Sequence, residues 1–409
     1  MTPPARDPAQ EGLHLRPMRP LVYRASPERD VASVTMPPVE AWDDGRLRQL
    51  AAANPDHVLH LSAPGVGGTA AAGAGATLRE WRSAGVVTAT SEESLFAWTW
   101  RVGGRQVRGV AGAVALPLAA AAVPHEGVRP AIVRDRQQQL AQAGVQVEPI
   151  VVLHDGSPLF SESVNRQITR EDPLLDVQVT DGDERHRIWS LTDSAALSSI
   201  ASLLAAAPKP VVADGHHRLR ALDAMGSPTW STAMVLVVDT ATSDLSVGSV
   251  HRVVPDLDIA WIQEQAGTEL TALSNGVEGA WLSAADPGHL RWVLADDTAL
   301  FGLDLAAASV HAMHGTAAVC APIARDTCHL HSHLLPAWGI DQDTLQYVHN
   351  WTQARRVATR HGGLAVRTSA PTLDRIIDAA RAGHTLPHKA TSIGPKPRIG
   401  LLMLPGHSA

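Results

Sequence analysis

One short segment, residues 210–225, constrains the fold of this 409-residue chain more than any other. The apolar run Pro210–Ala213 predicts a short strand, and Arg218–Met225 predicts a helix. The four residues between them, Asp214 to His217, form a turn in which glycine permits a sharp bend. Alternating strand and helix patterns elsewhere in the chain agree with this unit. We therefore predict an α+β fold with a mixed sheet as its core.

The predicted turn has the composition of an anion site. The first amide groups of a helix attract negative charge, and His216, His217 and Arg218 add side-chain donors. Phosphate suits such a site best, and Asp214 is suited to bind Mg²⁺ or to position a hydroxyl group. The alternative is that these polar residues only cap the helix. So many polar groups between two apolar elements exceed what a cap requires, which favours the anion site.

A second carboxylate, Glu126, follows His125 at the end of the most apolar run of the chain, residues 109–124. It precedes a predicted helix, Arg129 to Ala143, that carries several arginines. A carboxylate at a strand end beside basic residues is suited to act as a general base or as a Mg²⁺ ligand. The alternative is a surface glutamate near a helix start, where the helix dipole favours it.

Lysine is rare in this chain, which contains 34 Lys and Arg residues but only three lysines, Lys209, Lys389 and Lys396. Lys389 and Lys396 lie close together in a Pro/Gly-rich stretch between a predicted helix and a predicted strand. A lysine ammonium group is a compact point charge for phosphate, whereas arginine is a planar fork. The retention of Lys389 and Lys396 in an arginine-rich chain indicates that they contact phosphate, and the alternative is that these lysines were retained by chance.

The composition excludes several classes of protein. With 45% hydrophobic and 18% charged residues, the chain is of ordinary globular type. The formal charge of −7 argues against binding to nucleic acid or to anionic membranes. The most apolar run is shorter than the ~20 residues that a membrane span needs, and residues 1–13 do not resemble an export signal. We therefore expect a cytoplasmic protein whose partners are small molecules, and two cysteines agree with a reducing compartment.

Two further segments resemble ligand sites only weakly. Residues 64–77 are Gly-rich and precede a predicted helix, but they lack lysine and the Walker spacing, so a flexible surface loop is favoured. Residues 320–333 contain cysteines and histidines whose spacings fit no standard zinc motif. A helix start with surface histidines is the preferred interpretation, although His329 and His333 share a face if this segment is helical.

The chain is predicted to have three parts. Residues 1–13 read as a disordered lead-in, residues 14–257 as an α/β core, and residues 258–409 as a helix-rich part whose last strand returns to that core. The more local predictions are a strand at Val58–Leu61, a hairpin from 94–101 and 106–116, a strand near 292–294 and a last strand at 399–404.

Several motifs, in order along the chain, resemble the bacterial and archaeal domain of unknown function 1015 family. The resemblance spans nearly the whole chain, and the run Asp214 to Arg218 together with the C-terminal lysine motif is a specific combination. Departures are Val39-Glu40 where the family has Tyr-Asp, Val128 where it has threonine, and Ala390 where it has serine. The matching motifs are Arg16-Pro17, Pro37-Pro38, Asn54-Pro55, His125-Glu126, Arg134-Asp135-Arg136, His186 to Trp189, Ala213 to Arg218, His251 to Val254, Leu386 to Thr391, Pro395-Lys396 and Gly400-Leu401.

The strand, turn and helix around Asp214 also resemble the nucleotide-phosphate motif of the ParB/sulfiredoxin-like fold, which includes free-serine kinases. This resemblance implies that nucleotide phosphates, as ATP or ADP with Mg²⁺, are held by the turn. The implied catalytic residues are Glu126 as base, Asp214, which also places Mg²⁺, and His216. The implied cofactor-binding residues are Gly215, His217, Arg218, His251, Arg252, Lys389 and Lys396.

Three functions follow from these patterns. The first is a nucleotide-dependent, Mg²⁺-dependent kinase that phosphorylates a small hydroxy-amino acid such as free L-serine. The second is a nucleotide- or phosphate-binding regulatory module of the same family, with weak or no catalysis, and the lost hydroxyl and aromatic positions favour it. The third is a hydrolase or other phosphate-ester enzyme that uses the same turn.

Overall fold

The computed structural model describes residues 12–26, 29–38, 44–63, 73–179, 182–226, 228–266, 270–285, 288–306 and 325–406. The chain divides into two compact units. Unit 1 comprises residues 1–124, 128–245 and 395–409, and unit 2 comprises residues 125–127 and 246–394. Strands and helices mix in both units, so the fold class is α+β. Among the described residues, no helix has the length and apolar character needed to cross a membrane.

The described strands and helices are numbered here in chain order. The strands are β1 Leu21–Tyr23, β2 Val87–Ala89, β3 Leu95–Val102, β4 Arg105–Ala115, β5 Val123–Pro124, β6 Val145–Gln146, β7 Ile150–His154, β8 Leu175–Val179, β9 Glu184–Leu191, β10 Val211–Asp214, β11 Thr232–Asp239, β12 Ser246–Ser249, β13 His251–Val254, β14 Leu270–Ala272, β15 His289–Ala295, β16 Leu300–Ala306, β17 Gln346–Val348, β18 Leu364–Arg367, β19 Thr391–Gly394 and β20 Leu404–Pro405. The α-helices are α1 Val31–Val34, α2 Asp44–Ala53, α3 Leu59–Ser62, α4 Ala74–Ser83, α5 Pro130–Ala143, α6 Pro158–Ile168, α7 Ser194–Ala206, α8 His216–Met225, α9 Ile259–Ala266, α10 Glu278–Ser283, α11 Arg325–His329, α12 Leu335–Ala337, α13 Trp351–Arg360 and α14 Leu373–Arg381.

An eight-stranded mixed sheet forms the centre of unit 1, in the order β5-β10-β7-β11-β4-β3-β9-β8. Strand β10 runs parallel to β5 and antiparallel to β7, while β11 runs parallel to β7. The predicted hairpin is confirmed as β3 and β4, with Gly103 and Gly104 in its turn at positive φ. Strand β11 is an almost continuous apolar run, because a central strand is buried on both faces. Side chains from α5 to α8 pack on the sheet in one apolar core.

Unit 2 contains a six-stranded antiparallel sheet in the order β14-β16-β15-β18-β13-β17. The prediction for residues 258–409 included a strand near 292–294, which lies within β15, but it missed most of the other strands. Strands such as β14, β17 and β18 have three or four residues, too few for an alternating pattern to stand out. This part of the chain is therefore richer in strand than its sequence indicates.

Two local predictions differ from the structure. Residues 59–61 fall in the short helix α3, with Val58 as its N-cap residue, rather than in a strand, because four residues are too few to distinguish the two periods. The last strand is shorter than 399–404, although Ile399 and Met403 form isolated bridges to Met36 and Leu21 within unit 1. The division of the chain into three parts stays a prediction. Predictions on residues 1–11, Val39-Glu40, 64–72 and Cys320 lie outside the described residues.

Candidate functional site

The predicted strand, turn and helix are confirmed around Asp214. Strand β10 ends at Asp214, Gly215 takes a left-handed conformation with φ of +92°, and α8 begins at His216. Gly215 is the N-cap residue, and glycine has no side chain that could accept a bond from the first helix amides.

Arg218 is the centre of a partly buried ionic network in unit 1. Its Nη2 donates to Asp214 Oδ2 at 2.7 Å and to the carbonyl oxygen of Pro149 at 3.2 Å. Its Nη1 pairs with Glu148. Burial alone would lower the pKa of the guanidinium group, but the charges of Glu148 and Asp214 raise the pKa above its ordinary value. Arg218 is therefore held permanently charged beside the turn.

The close approach of this guanidinium group explains why residue 215 is glycine. A Cβ atom at position 215 would lie 2.9 Å from Arg218 Nη2 and 3.1 Å from its Nε. The left-handed φ also disfavours any residue with a side chain. The backbone conformation of residue 215 and the nearby Arg218 side chain therefore both require glycine at this position.

Lys396 joins the same cluster from the distant C-terminal part of unit 1. Its Nζ lies 2.7 Å from Asp214 Oδ1, and its side chain is 15% exposed. The flanking segment is anchored, because Trp100 Nε1 donates to the carbonyl oxygen of Pro395 at 3.0 Å. Buried Arg398 likewise donates to the carbonyl oxygen of Thr35 at 2.7 Å and to Glu184 at 2.9 Å. The packing of this segment therefore holds the Lys396 side chain against Asp214.

The two histidines of the turn differ in their surroundings. His216 is buried at the first position of α8. His217 Nε2 accepts a hydrogen bond from the backbone N–H of Arg129 at 3.1 Å. In a neutral imidazole the proton must then be on Nδ1, which makes that nitrogen a donor. The turn thus presents a histidine whose tautomer is set by the start of α5.

The fit of Asp214 to Mg²⁺ is poor in this arrangement. Each of its carboxylate oxygens already lies 2.7 Å from a cationic nitrogen, of Arg218 or of Lys396. Among the described residues, no group of three His, Cys, Asp or Glu side chains is arranged to hold a metal. The metal role of Asp214 stays a prediction, and it requires displacement of one of these cations.

Glu126 lies in unit 2, where it holds the loop that carries Lys389. Glu126 Oε1 accepts bonds from Thr391 N at 2.9 Å and Thr391 Oγ1 at 3.0 Å, and Oε2 accepts from Lys389 N at 3.2 Å. His125 Nε2 also lies 2.9 Å from Thr391 Oγ1. Lys389 has a φ of +56°, which is rare for a residue with a side chain. The hydrogen bonds to Glu126 therefore stabilise the strained backbone conformation of Lys389. The role of Glu126 as a base stays a prediction.

His251 and Arg252 lie on β13 of unit 2. Burial, with help from the charges of Arg367 and Arg252, lowers the pKa of His251 to about 3. Arg252 is buried, its Nε donates to His331 Nε2 at 2.9 Å, and its guanidinium carbon lies 5.3 Å from the centre of the Tyr347 ring. Burial also lowers the pKa of Arg252 to about 10, although nearby Tyr347, Glu126 and Asp326 oppose that shift.

The structure thus groups the predicted residues into two sets, one in each unit. Sequence reasoning missed Glu148, His331 and Tyr347, which complete these sets. Glu148 lies two residues before the apolar strand β7, and a carboxylate at this position was the available signal for it. His329 and His333 stack with ring centres 5.1 Å apart, as expected for residues on one helix face, but both side chains are buried, so the prediction of surface histidines is wrong. The grouped residues are Asp214, Gly215, His216, His217, Arg218 and Lys396 in unit 1, and Glu126, His251, Arg252 and Lys389 in unit 2.

The model of the family described as a protein of unknown function (DUF1015) matches residues 15–293. The chain belongs to this family. A comparison with curated proteins finds no match.

Solved structures show only a remote likeness. A C-terminally truncated SbnI from Staphylococcus aureus has a TM-score of 0.39 at 12% identity, with 72% of this chain and 87% of that chain covered. A free serine kinase in complex with AMP has a TM-score of 0.40 at 14% identity, with 71% and 91% covered. A conserved hypothetical protein from Pyrococcus furiosus has a TM-score of 0.39 at 13% identity, with 69% and 90% covered. At these scores the likeness carries no argument about activity.

Proposed function

We propose that this chain is a nucleotide-dependent kinase that binds ATP or ADP with Mg²⁺ and phosphorylates a small hydroxy-amino acid, most simply free L-serine. The observation that carries the proposal is the convergence of Arg218 and Lys396 on Asp214, at the N-terminus of a helix whose N-cap residue is glycine. Helix amides and a lysine point charge are the groups that phosphoryl transfer uses to hold nucleotide phosphates.

The charges of the turn favour a metal-bound nucleotide. Asp214 and Glu148 balance Arg218 and Lys396, so the excess positive potential comes from the N-terminus of α8. A cluster of this kind binds a nucleotide better when Mg²⁺ has already reduced the charge of the phosphates. We therefore propose that Mg²⁺ arrives on the nucleotide. Lys396, whose ammonium group lies 2.7 Å from Asp214 Oδ1 at the turn, then contacts the phosphates as a point charge.

A regulatory module that binds nucleotide without turnover is the second candidate. The specific observation in its favour is that the predicted catalytic carboxylates are engaged. Asp214 contacts two cations, and Glu126 accepts bonds from Lys389 and Thr391. A carboxylate engaged in this way is a poor base until its donors leave.

The experiment is a phosphoryl-transfer assay with the full chain. Purified protein is incubated with Mg²⁺, ATP or ADP, and L-serine, L-threonine or L-homoserine, and O-phosphorylated products are measured by mass spectrometry. The kinase proposal predicts a product that requires both Mg²⁺ and an acceptor. Its absence throughout the panel refutes the proposal, and nucleotide-dependent thermal stabilisation without product supports the regulatory module. Release of phosphate without an acceptor indicates a hydrolase.

Two lysine variants test the assigned site. We expect Lys396→Ala to weaken nucleotide binding at least tenfold, because it removes a charge from the phosphates. Lys209→Ala is the matched control, since it removes a lysine from the segment before β10 that has no assigned role. Equal nucleotide affinity in the two variants would remove Lys396 from the proposed site.

A further inference from the structure

Arg252 carries a buried positive charge that lacks a bound carboxylate. Its side chain is fully buried, and both nitrogens with partners bond to neutral acceptors, Nε to His331 and Nη1 to the carbonyl oxygen of Val250. The third nitrogen, Nη2, is buried and makes no hydrogen bond to any residue that the structure describes. Proteins rarely leave such a donor unpaired, because it loses its bonds to water without replacement.

Nearby acids do not neutralise this charge directly. Glu126 uses its oxygens on Lys389 and Thr391. Asp326 accepts from Ser369 and Thr327. Neither acid forms an ion pair with Arg252 among the contacts of the described residues, although both influence it through space. A small anion beside Nη2 would supply the missing charge.

A second arginine of unit 2 shows the arrangement expected for a structural role. Arg291 stacks on Trp281 with its guanidinium carbon 4.6 Å from the ring centre, as Arg252 stacks on Tyr347. Unlike Arg252, Arg291 has a carboxylate partner, because its Nε lies 2.7 Å from Asp304 Oδ2. Both arginines thus lie in unit 2 and stack on an aromatic ring, but among the described residues only Arg291 has a carboxylate partner.

We propose that Arg252 binds the carboxylate of a free amino acid such as L-serine within unit 2. A monocarboxylate matches the single charge of the site, whereas a phosphate dianion would leave excess negative charge in a buried place. His331 does not add a second charge, since its Nε2 accepts from Arg252 and its Nδ1 bonds to Gln342 Oε1 at 2.8 Å. Arg252 is thus a binding residue that selects ligands with a carboxylate.

The test measures ligand-induced thermal stabilisation of the full chain in the absence of nucleotide. The probes are L-serine, L-serinamide, which lacks the carboxylate, and inorganic phosphate. The variants are Arg252→Met, Arg252→Lys and the matched control Arg291→Met. We expect L-serine to stabilise the wild-type chain and the control, and to bind both Arg252 variants at least tenfold more weakly. Serinamide and phosphate are expected to have no effect on the wild-type chain.

Each other outcome overturns the inference. Equal stabilisation of the wild-type and Arg252 variants by L-serine shows that the carboxylate binds elsewhere, and stabilisation by phosphate alone shows a phosphate site. No stabilisation by any probe shows that Arg252 has no such ligand. Without ligand, the Arg252→Met variant is expected to have a melting temperature at or above that of the wild-type chain, because the substitution removes an unneutralised buried charge. A large decrease in melting temperature would show that Arg252 has a structural role. Nucleotide binding is measured separately, so failure of the kinase proposal is distinguishable.

Discussion

Substitution of Gly215 by alanine tests the geometry of the proposed phosphate turn most directly. Gly215 has a left-handed φ of +92°, and its Cβ position lies 2.9 Å from Arg218 Nη2. The substitution therefore has two effects. It strains the backbone, and it pushes the guanidinium group away from Asp214 and Glu148.

The two effects have separable magnitudes. A residue with a Cβ atom in the left-handed region costs about 1–2 kcal/mol. Breaking a buried ion pair by removing one partner costs about 3–5 kcal/mol, and the ion pairs of a displaced Arg218, whose side chains are only partly buried, lose part of that. We therefore expect Gly215→Ala to lower the free energy of unfolding of unit 1 by about 2–5 kcal/mol. It should also weaken nucleotide binding, because Arg218 and the first amides of α8 shift together.

The assay is urea denaturation followed by circular dichroism, with hydrogen–deuterium exchange of the peptide 211–225 to report on the turn itself. Gly85→Ala is the matched control in unit 1, because Gly85 has a φ of +70° and no atom within 4 Å of its Cβ position. The control isolates the backbone cost. If Gly215→Ala loses no more stability than Gly85→Ala, the contact with Arg218 does not constrain the turn and our reasoning is wrong.

Three further changes have definite expected results. Glu126→Gln should increase hydrogen exchange in residues 386–391 and lower the free energy of unfolding by about 1–2 kcal/mol, because neutral acceptors hold the loop less strongly. A loss of phosphoryl-transfer rate far larger than this destabilisation explains would instead support a role for Glu126 as a base. Stability should fall below pH 6.5, because burial lowers the pKa of His251 to about 3 and the unfolded chain then binds more protons. His251→Phe should reduce that slope by about 1.4 kcal/mol per pH unit in urea titrations at several pH values. Glu148→Gln should lower the melting temperature while Glu162→Gln, in an exposed pair, should not.

Local sequence patterns predicted many elements of unit 1 correctly. The hairpin β3–β4, helix α5 and the unit β10–α8 all follow from runs long enough to show a period. The same reasoning missed most strands of unit 2, where strands of three or four residues pair across long loops. Their stability comes from neighbours in the sheet, which no local window contains.

The residues of the candidate site were likewise predictable from the sequence only in part. The sequence indicated Asp214, Arg218 and Lys396 by residue type and motif, because donors at a helix start have a recognisable composition. It did not indicate Glu148, although this carboxylate completes the network around Arg218. Contact between Glu148 and α8 depends on how the strand after residue 148 packs against that helix.

The sequence by itself determined the strand, turn and helix around Asp214 and the chemistry of the residues in it. It did so because each of these features depends on neighbours within a few positions. Only the tertiary structure decided that Lys396 lies against Asp214, and that Glu126 holds the loop of Lys389. It also decided that Arg252 is buried without a carboxylate partner among the residues that the structure describes. These features depend on packing between distant segments, where burial sets the strength of each charge.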